Sequence, residues 1–317
     1  MADTQNEVFK TPVNKIRLFE HGAPGSQNLK LTRKYYTEDM PDGRVKHIVQ
    51  NITDPDIVPY MPDGIGNSTD RQRIPAVLII PGGAFRRLVY NFEGEDVAKW
   101  LNSMGIAAFV LECRLPSDEH DNAEDVPLID AMRAMRVIRG RAQEFGIDEA
   151  KIGVMGFSAG GFMAALLSTA YESDVYVDYK YKDEYDKLSA RPDFAVCSYP
   201  VISIDDCIEA GKRYMSEEQV LERISDSKAK ILHKYNPDKL VRPDMPPVFI
   251  CETDDDRTTL SENSVGFYMA ARKAGVSAEL HIFRTGGHGY GCGDDFAQTG
   301  EWKVLFTKWI KSIGIIS

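Results

Sequence analysis

Six short apolar segments that alternate with helical segments constrain the fold of this chain more than any other feature. Their hydrophobicity is continuous rather than alternating, which is typical of strands buried on both faces, and such strands form parallel sheets covered by helices. We therefore expect an α/β fold with a mostly parallel central sheet flanked by helices on both faces. The six predicted strands are 76–80, 106–111, 151–155, 194–199, 247–251 and 278–283.

Periodic apolar residues predict the clearest helix over 125–145, where Gly146 supplies a C-terminal stop. A last helix is predicted over 301–313. The N-terminal part, 1–75, is polar and rich in turns. Its alternating stretches predict half-buried strands of an antiparallel edge, and prolines then break the chain before the core. These stretches are 15–19 and 44–49, and the prolines lie between 55 and 62.

Two later segments, 171–191 and 202–245, fit the alternation of strands and helices poorly. Insertions that follow the strands of an open α/β sheet lie at its carboxyl edge, where ligands bind. The second segment is therefore a candidate lid or pocket wall, and an ordinary surface excursion is weighed equally. We expect a single domain over 1–317, since α/β folds of this length often form one domain.

Charge and cysteine content exclude several classes of partner. The chain has 38 Lys and Arg against 48 Asp and Glu, a net charge of −10, which argues against binding a nucleic acid. Five cysteines without a C-x-x-C pair favour a reducing compartment. No secretory signal is evident in 1–10, and no run of about 18 apolar residues predicts a membrane helix. We expect a cytoplasmic protein with no membrane partner; the oligomeric state stays open, a homo-oligomer included.

A Gly-Phe-Ser-Ala-Gly pentapeptide at 156–160 follows the predicted strand 151–155 and precedes a helical run of small residues. The G-x-S-x-G pattern holds its serine on a strained turn between strand and helix. Ser158 is thus a candidate nucleophile beside the N–H groups that begin the helix, which favour a developing oxyanion. On the pentapeptide alone, a plain turn is an equal alternative.

A serine nucleophile on such a turn needs a base and a carboxylate, which follow it along the chain in the order acid, histidine. His288 lies in a Gly-rich loop, 285–291, after the last predicted strand, and is the only one of six histidines in such a place. The loop matches no P-loop spacing and supplies no second metal ligand. His288 is therefore the predicted base.

The acid is expected in the loop after the preceding strand, where Asp254, Asp255 and Asp256 are consecutive. Adjacent carboxylates repel, so at least two of them should face solvent or cap the helix that begins near 260. Consecutive aspartates lack the alternation of a calcium loop. The residues alone do not choose among the three.

An oxyanion hole normally takes one N–H from the residue after the nucleophile and another from a loop after an earlier strand. Ala159 follows the serine, and the loop 81–85, Pro-Gly-Gly-Ala-Phe, follows the first core strand. A plain turn is the alternative there. We expect Gly83, Ala84 and Ala159 to donate backbone N–H groups.

With these motifs in view, the chain resembles α/β-hydrolase-fold serine esterases and, more narrowly, the acetyl-esterase and acetyl-xylan-esterase-like group of carboxylesterases. The resemblance runs from about residue 51 to the C-terminus. It is carried by segments 79–85, 111–116, 153–161, 199–202 and 286–291.

The resemblance implies a site made of Ser158, His288 and an acid. In relatives the acid lies in a D-x-x-V-P frame, which falls on Asp256 here; Leu260 stands at the proline position, so Asp255 stays an alternative. Ala84 replaces a third glycine of the oxyanion loop and still carries an N–H donor.

We therefore expect a serine esterase that removes short acyl groups, acetyl above all, from a small-molecule ester such as an acetylated oligosaccharide. The acetyl and sugar parts come from the resemblance. No metal or organic cofactor is expected. Alternatives are a feruloyl or lipase-like esterase, a peptidase on the same fold, or a binding protein without catalysis. Six more residues are candidate pocket residues, each weighed equally against ordinary surface: Arg86, Arg87, Tyr214, Tyr290, Asp294 and Asp295.

Overall fold

The computed structural model describes residues 9, 12–64, 73–225, 230–293 and 298–317. The strands in chain order are β1 (Ile16–Arg17), β2 (Lys34–Asp39), β3 (Val45–Gln50), β4 (Asp56–Tyr60), β5 (Ile74–Ile80), β6 (Leu88–Val89), β7 (Ala107–Glu112), β8 (Ile147–Phe157), β9 (Ala195–Ser198), β10 (Val248–Thr253) and β11 (Ala278–Phe283). The helices are α1 (Asp96–Ser103), α2 (Val126–Gly140), α3 (Ala142–Phe145), α4 (Ala159–Ala170), α5 (Ile204–Tyr214), α6 (Glu217–Ser225), α7 (Lys230–Lys234), α8 (Ser261–Lys273) and α9 (Glu301–Ser312).

The larger sheet has eight strands in the order β1-β4-β7-β5-β8-β9-β10-β11. All pairings from β7 to β11 are parallel, and β4 and β1 add an antiparallel edge. Every residue of β7 and β10 is buried, as continuous hydrophobicity predicts. The expected α/β fold with a mostly parallel sheet is confirmed.

The prolines between 55 and 62 do not all break the chain, which corrects the sequence prediction. β4 contains Pro59, which lies opposite Phe109 of β7. On its other side β4 pairs with β1 only at Asp56 and Ile57. A proline without an N–H is tolerated where a strand has no partner to receive that hydrogen bond.

A second, three-stranded sheet has the order β2-β3-β6 and is antiparallel throughout. Alternation predicts that both N-terminal stretches lie at one antiparallel edge, and this prediction is wrong for the second stretch, which forms β3 of the smaller sheet. β3 pairs with β2 across a tight turn, in which Met40 N donates to Arg44 O at 2.8 Å. Periodicity reports which face of a strand is buried, but it does not report which strand is the partner.

Two helix predictions are met closely. The predicted helix 125–145 is interrupted at Arg141 into α2 and α3, and Gly146 ends it in a left-handed conformation with φ 66°. The last helix is α9. Within the described ranges, no helix is long and apolar enough to cross a bilayer.

The segment 171–191 follows α4 rather than a strand and packs on α2, where Arg133 Nη1 donates to Asp183 Oδ1 at 2.7 Å. The segment 202–245 contains α5, α6 and α7 and begins beside α8, where Ile202 N donates to Asn263 Oδ1 at 2.8 Å. Its role as a lid stays a prediction.

Candidate active site

Ser158 lies at the turn between β8 and α4, with φ 54° and ψ −119°. A β-carbon on Gly156 would meet Gly160 O at 1.9 Å, and one on Gly160 would meet Ile80 O at 1.9 Å. Larger residues at either position would drive strand and helix apart, so the two glycines permit the turn that raises the serine at the carboxyl edge of the sheet.

His288 lies in the loop after β11, where its Nε2 is 2.8 Å from Ser158 Oγ. Two hydrogen bonds to the preceding residue fix this loop: Gly287 N donates to Asp255 Oδ1 at 2.8 Å, and Thr253 Oγ1 donates to Gly287 O at 2.9 Å. The two hydrogen bonds of Gly287 therefore hold the loop, and with it the imidazole, over the serine, and neither of them involves the imidazole itself.

The three consecutive aspartates separate clearly. Asp254 and Asp255 are exposed, whereas Asp256 is buried and its Oδ2 lies 2.6 Å from His288 Nδ1. The structure therefore brings Asp256, rather than Asp255, to the imidazole. The expectation that two of the three face solvent agrees with this arrangement.

Hydrogen bonds keep the Asp256 carboxylate charged. Burial alone would raise its pKa, but the bond to His288 and the N–H groups of Thr258 and Thr259, at 2.7 and 3.0 Å from Oδ1, hold the pKa below its ordinary value. An ionised carboxylate can only accept, so His288 Nδ1 donates to Asp256 and Nε2 is left to accept the hydroxyl proton of Ser158.

The loop 81–85 follows β5 and folds back beside Ser158. Its backbone is unusual, with φ 136° at Gly83, 57° at Ala84 and 58° at Phe85. A β-carbon on Gly83 would meet Arg87 O at 2.1 Å. Gly83 and Ala84 line the cleft above the serine, and Ala159 is the first residue of α4, where N–H groups have no partner inside the helix. Their role as oxyanion donors stays a prediction.

Sequence reasoning did not identify a buried carboxylate at this site. Glu93 lies in a π-helical turn, Asn91–Glu95, and is 5% exposed. Its Oε2 accepts the N–H of Gly82 at 2.8 Å, and its Oε1 accepts the hydroxyl of Tyr199 at 2.9 Å. Burial raises the pKa of Glu93, which the charge of His288 and these hydrogen bonds oppose. No pattern in the sequence separates Glu93 from the neighbouring acids Glu95 and Asp96, which are more accessible.

Tyr199 connects Glu93 to the histidine loop. Its hydroxyl accepts the N–H of Gly291 at 3.0 Å, and its ring meets the His288 ring edge-on at a centroid distance of 5.1 Å. Glu93 and Tyr199 therefore link the 81–85 loop to the loop of the histidine through buried contacts.

These groups open onto a cleft of about 570 Å³, within the usual range for a small-molecule site. Of the six candidate pocket residues, Arg86 and Arg87 line it. Tyr290 is buried against Tyr199 instead, with ring centroids 4.5 Å apart. Tyr214 is 51% exposed, and Asp294 and Asp295 lie outside the described residues. No group of three or more His, Cys, Asp or Glu within the described ranges is arranged to hold a metal ion.

Comparisons with known proteins identify the family. The model of the BD-FAE family matches residues 63–270. An acetylxylan esterase of Xylanibacter ruminicola is 31% identical over 240 residues, which cover 75% of this chain and 45% of that protein. The chain spans less than half the length of the curated relatives it matches.

Solved structures agree with this assignment. An acetyl ester-xyloside bifunctional hydrolase of Caldicellulosiruptor lactoaceticus is 34% identical, with a TM-score of 0.70 over 96% of this chain and 97% of that one. A thermophilic esterase of Thermogutta terrifontis, at 24% identity and a TM-score of 0.65 over 93% of this chain and 96% of that one, shares the fold. The chain belongs to the BD-FAE family, and it has the α/β-hydrolase fold that the resemblance in its sequence predicts.

Proposed function

We propose that this protein is a serine carboxylester hydrolase that removes acetyl groups from acetylated xylan-type carbohydrate. The observation that carries the proposal is the continuous hydrogen-bonded chain from Ser158 through His288 to Asp256 at the floor of an open cleft. A binding protein has no need of this arrangement, because each group serves only to activate the next.

In the first half of the reaction, Ser158 Oγ attacks the ester carbonyl carbon while its proton moves to His288 Nε2. Asp256 holds the ring in the correct tautomer and stabilises the imidazolium that forms. The N–H groups of Gly83, Ala84 and Ala159 receive the oxyanion of the tetrahedral intermediate. The bond to the alcohol oxygen then breaks, and the alcohol leaves with the proton from Nε2.

In the second half, a water molecule gives a proton to His288 Nε2 and attacks the carbonyl carbon of the acyl-enzyme. The second tetrahedral intermediate collapses with return of that proton to Ser158 Oγ, which releases the carboxylic acid. The reaction needs no other reactant than water.

The acetyl group and the xylan backbone are proposed from the relatives, which are named as an acetylxylan esterase and an acetyl ester-xyloside hydrolase. We also propose a reducing, cytoplasmic location. All five cysteines lie in described parts of the chain and none forms a disulfide.

The test is a series of p-nitrophenyl esters, acetate, butyrate, octanoate and ferulate, followed by acetate release from acetylated xylo-oligosaccharides. We expect acetate to be hydrolysed at least about tenfold faster than octanoate, since one methylene changes selectivity by roughly tenfold or more in a fitted pocket. Ser158→Ala is the control. Preference for octanoate or ferulate would replace acetyl as the proposed acyl group, and equal rates in the control would contradict the serine mechanism.

A further inference from the structure

One wall of the cleft comes from the three-stranded sheet. Arg44 and Lys46 approach from β3 and the turn before it, and Arg86 and Arg87 from the segment that leads into β6. Among the described residues that line the cleft, and apart from His288, four of the five charged side chains are therefore cations, and the fifth is the buried Glu93. This is the reverse of the whole chain, whose net charge is −10. We call these four residues the cationic wall.

Two members of the cationic wall pair with carboxylates that do not themselves line the cleft. Arg87 Nη1 lies 2.5 Å from Glu38 Oε1, and Arg44 Nη2 lies 2.8 Å from Asp42 Oδ2. Both pairs are partly exposed, with 28 to 48% of each side chain accessible. Such pairs contribute little to stability. A ligand carboxylate can therefore join or replace these partners without unfolding the wall.

The cationic wall is fixed relative to the reactive groups. Asn91 accepts the N–H of His47 at 2.9 Å and donates to Val45 O at 2.8 Å, which clamps β3 to the turn that also carries Glu93. In the same turn, the Phe92 ring lies 5.2 Å below the Arg44 guanidinium. The wall cannot move far without moving the residue that holds the 81–85 loop.

β6 provides a second attachment of the wall to the site. Val89 N donates to Gly82 O at 2.9 Å, and Val89 also pairs with Ile48 of β3. The charge of Lys46 reaches the floor of the site: burial raises the pKa of Glu93, and the charges of His288 and Lys46 oppose that rise. A negative group near Lys46 would lie within the same field.

We propose that the cationic wall selects esters whose alcohol part carries a carboxylate, such as an acetylated oligosaccharide that contains a uronic acid. The inference rests on the proposed function. An acetyl group carries no charge, so the charge that the wall recognises must belong to the alcohol side. Arginine and lysine are suited to this because guanidinium binds carboxylate in a planar, two-point geometry and ammonium supplies a mobile point charge.

The proposal predicts a substrate preference opposite to the one that the overall charge of the chain would give. A protein of net charge −10 repels anionic substrates when no local field intervenes, whereas a cleft lined by cations raises their local concentration. An anionic ester should thus be preferred over a neutral ester of the same shape, and salt should remove the preference.

The test compares 4-acetoxybenzoate with 4-acetoxybenzamide, which have the same size and differ by one charge. Values of kcat/KM are divided by the hydroxide-catalysed rate of each ester, so that leaving-group reactivity cancels. At about 10 mM ionic strength we expect the anionic ester to be favoured by about tenfold. In 1 M NaCl, where the screening length is about 3 Å, we expect a ratio within about twofold of one.

Two single substitutions test whether the preference for the anionic ester comes from the cationic wall. Lys46→Gln should lower the anionic-to-neutral ratio about fivefold, chiefly through KM. Lys311→Gln is the matched control because it removes one positive charge from an exposed site near the end of α9. The chain just after α9 contacts the first half of β8, where Lys151 Nζ donates to Ile315 O at 3.1 Å, away from the carboxyl end of β8 that carries Ser158. The control should leave the ratio unchanged.

Each outcome is decisive. Equal or slower hydrolysis of the anionic ester, or an unchanged anionic-to-neutral ratio in Lys46→Gln, would overturn the proposed role of the cationic wall. Either result would leave the esterase proposal standing. Hydrolysis of neither ester, or rates in Ser158→Ala equal to those of the parent chain, would overturn the proposed function and the inference with it.

Discussion

The eight-stranded and three-stranded sheets contribute to the same cleft in different ways. The eight-stranded sheet contributes through the loops that follow its strands: Ser158 after β8, Asp256 after β10 and His288 after β11. The three-stranded sheet contributes through side chains of the wall itself, such as Lys46. β7 and β10 are buried at every residue, whereas β2 is at most half-buried. The buried strands of the larger sheet hold the loops that carry the reactive groups. The more accessible smaller sheet can carry charged side chains that face the cleft.

This difference predicts which substitutions should change kcat and which should change KM. Changes at the loops of the eight-stranded sheet, and at Glu93, which binds the 81–85 loop, should lower kcat because they affect groups that act in the transition state or hold them in place. Changes in the three-stranded sheet should act on KM and on the choice of substrate. Four variants test that division, from the largest expected effect to the smallest.

Ser158→Ala should lower kcat on p-nitrophenyl acetate by a factor on the order of 10⁴ to 10⁶, because it removes the nucleophile. The serine side chain is small and lies at the cleft floor, so the melting temperature should change little. A loss of kcat of less than about tenfold in a variant that still folds would contradict the role of Ser158 as the nucleophile.

Asp256→Asn should lower kcat by about 10⁴-fold, because an asparagine can hold His288 in the wrong tautomer and cannot stabilise its imidazolium. Asp255→Asn is the matched control. Its amide oxygen can still accept the Gly287 N–H, so kcat should stay within about threefold of the parent value. Equal losses in the two variants would contradict the assignment of the acid.

Glu93→Gln should lower kcat by about tenfold while it raises the melting temperature at neutral pH. Glutamine keeps one acceptor for Gly82 N–H and removes a buried charge that interacts electrostatically with His288. A buried carboxyl whose pKa is raised contributes most stability at low pH and loses it as pH rises through the raised pKa. The stability difference between the two proteins should therefore grow with pH and vanish below about pH 4.

The division of the kinetic effect between kcat and KM gives an independent readout for Glu93→Gln. Removing a buried negative charge that favours the imidazolium of the transition state should lower kcat and leave KM for p-nitrophenyl acetate within about twofold. An unchanged kcat together with a lower melting temperature would make Glu93 a structural residue only.

Asn91→Ala should have the smallest effect on kcat, within about threefold, and should raise KM for 4-acetoxybenzoate severalfold. The variant removes the two hydrogen bonds that clamp β3 to the 91–95 turn, which should cost about 1–3 kcal/mol of stability. Urea denaturation and a separate determination of kcat and KM check both parts. A large loss of kcat would show that the wall also holds the reactive groups.

The site residues that could be predicted from the sequence are marked by short local motifs. Ser158 needs small residues two positions away on both sides, and His288 follows the last strand in a glycine-rich loop. These signals are local, so a single sequence carries them. The choice of Asp256 came from a motif frame rather than from the residues. Asp256 is buried and hydrogen-bonded to His288, whereas Asp255 is exposed, and composition carries neither difference.

The rest of the site depends on pairing between distant segments. Lys46 reaches the cleft because β3 pairs with β2 and β6 instead of the edge of the larger sheet, and alternation does not specify a partner. Glu93 is recognisable only once Gly82 and Tyr199 are beside it. The strand at Pro59 was missed because a proline reads as a chain break unless the position of the strand in its sheet is known.

The activation of Ser158 is the central claim, and covalent trapping tests it most directly. The protein is incubated with an organophosphonate ester that mimics the tetrahedral intermediate, and intact mass and peptide mapping locate the adduct. We predict one phosphonyl group per chain, on Ser158, with labelling slowed strongly in Asp256→Asn and absent in Ser158→Ala. No adduct on the parent chain, or an adduct that persists in Ser158→Ala, would contradict the account.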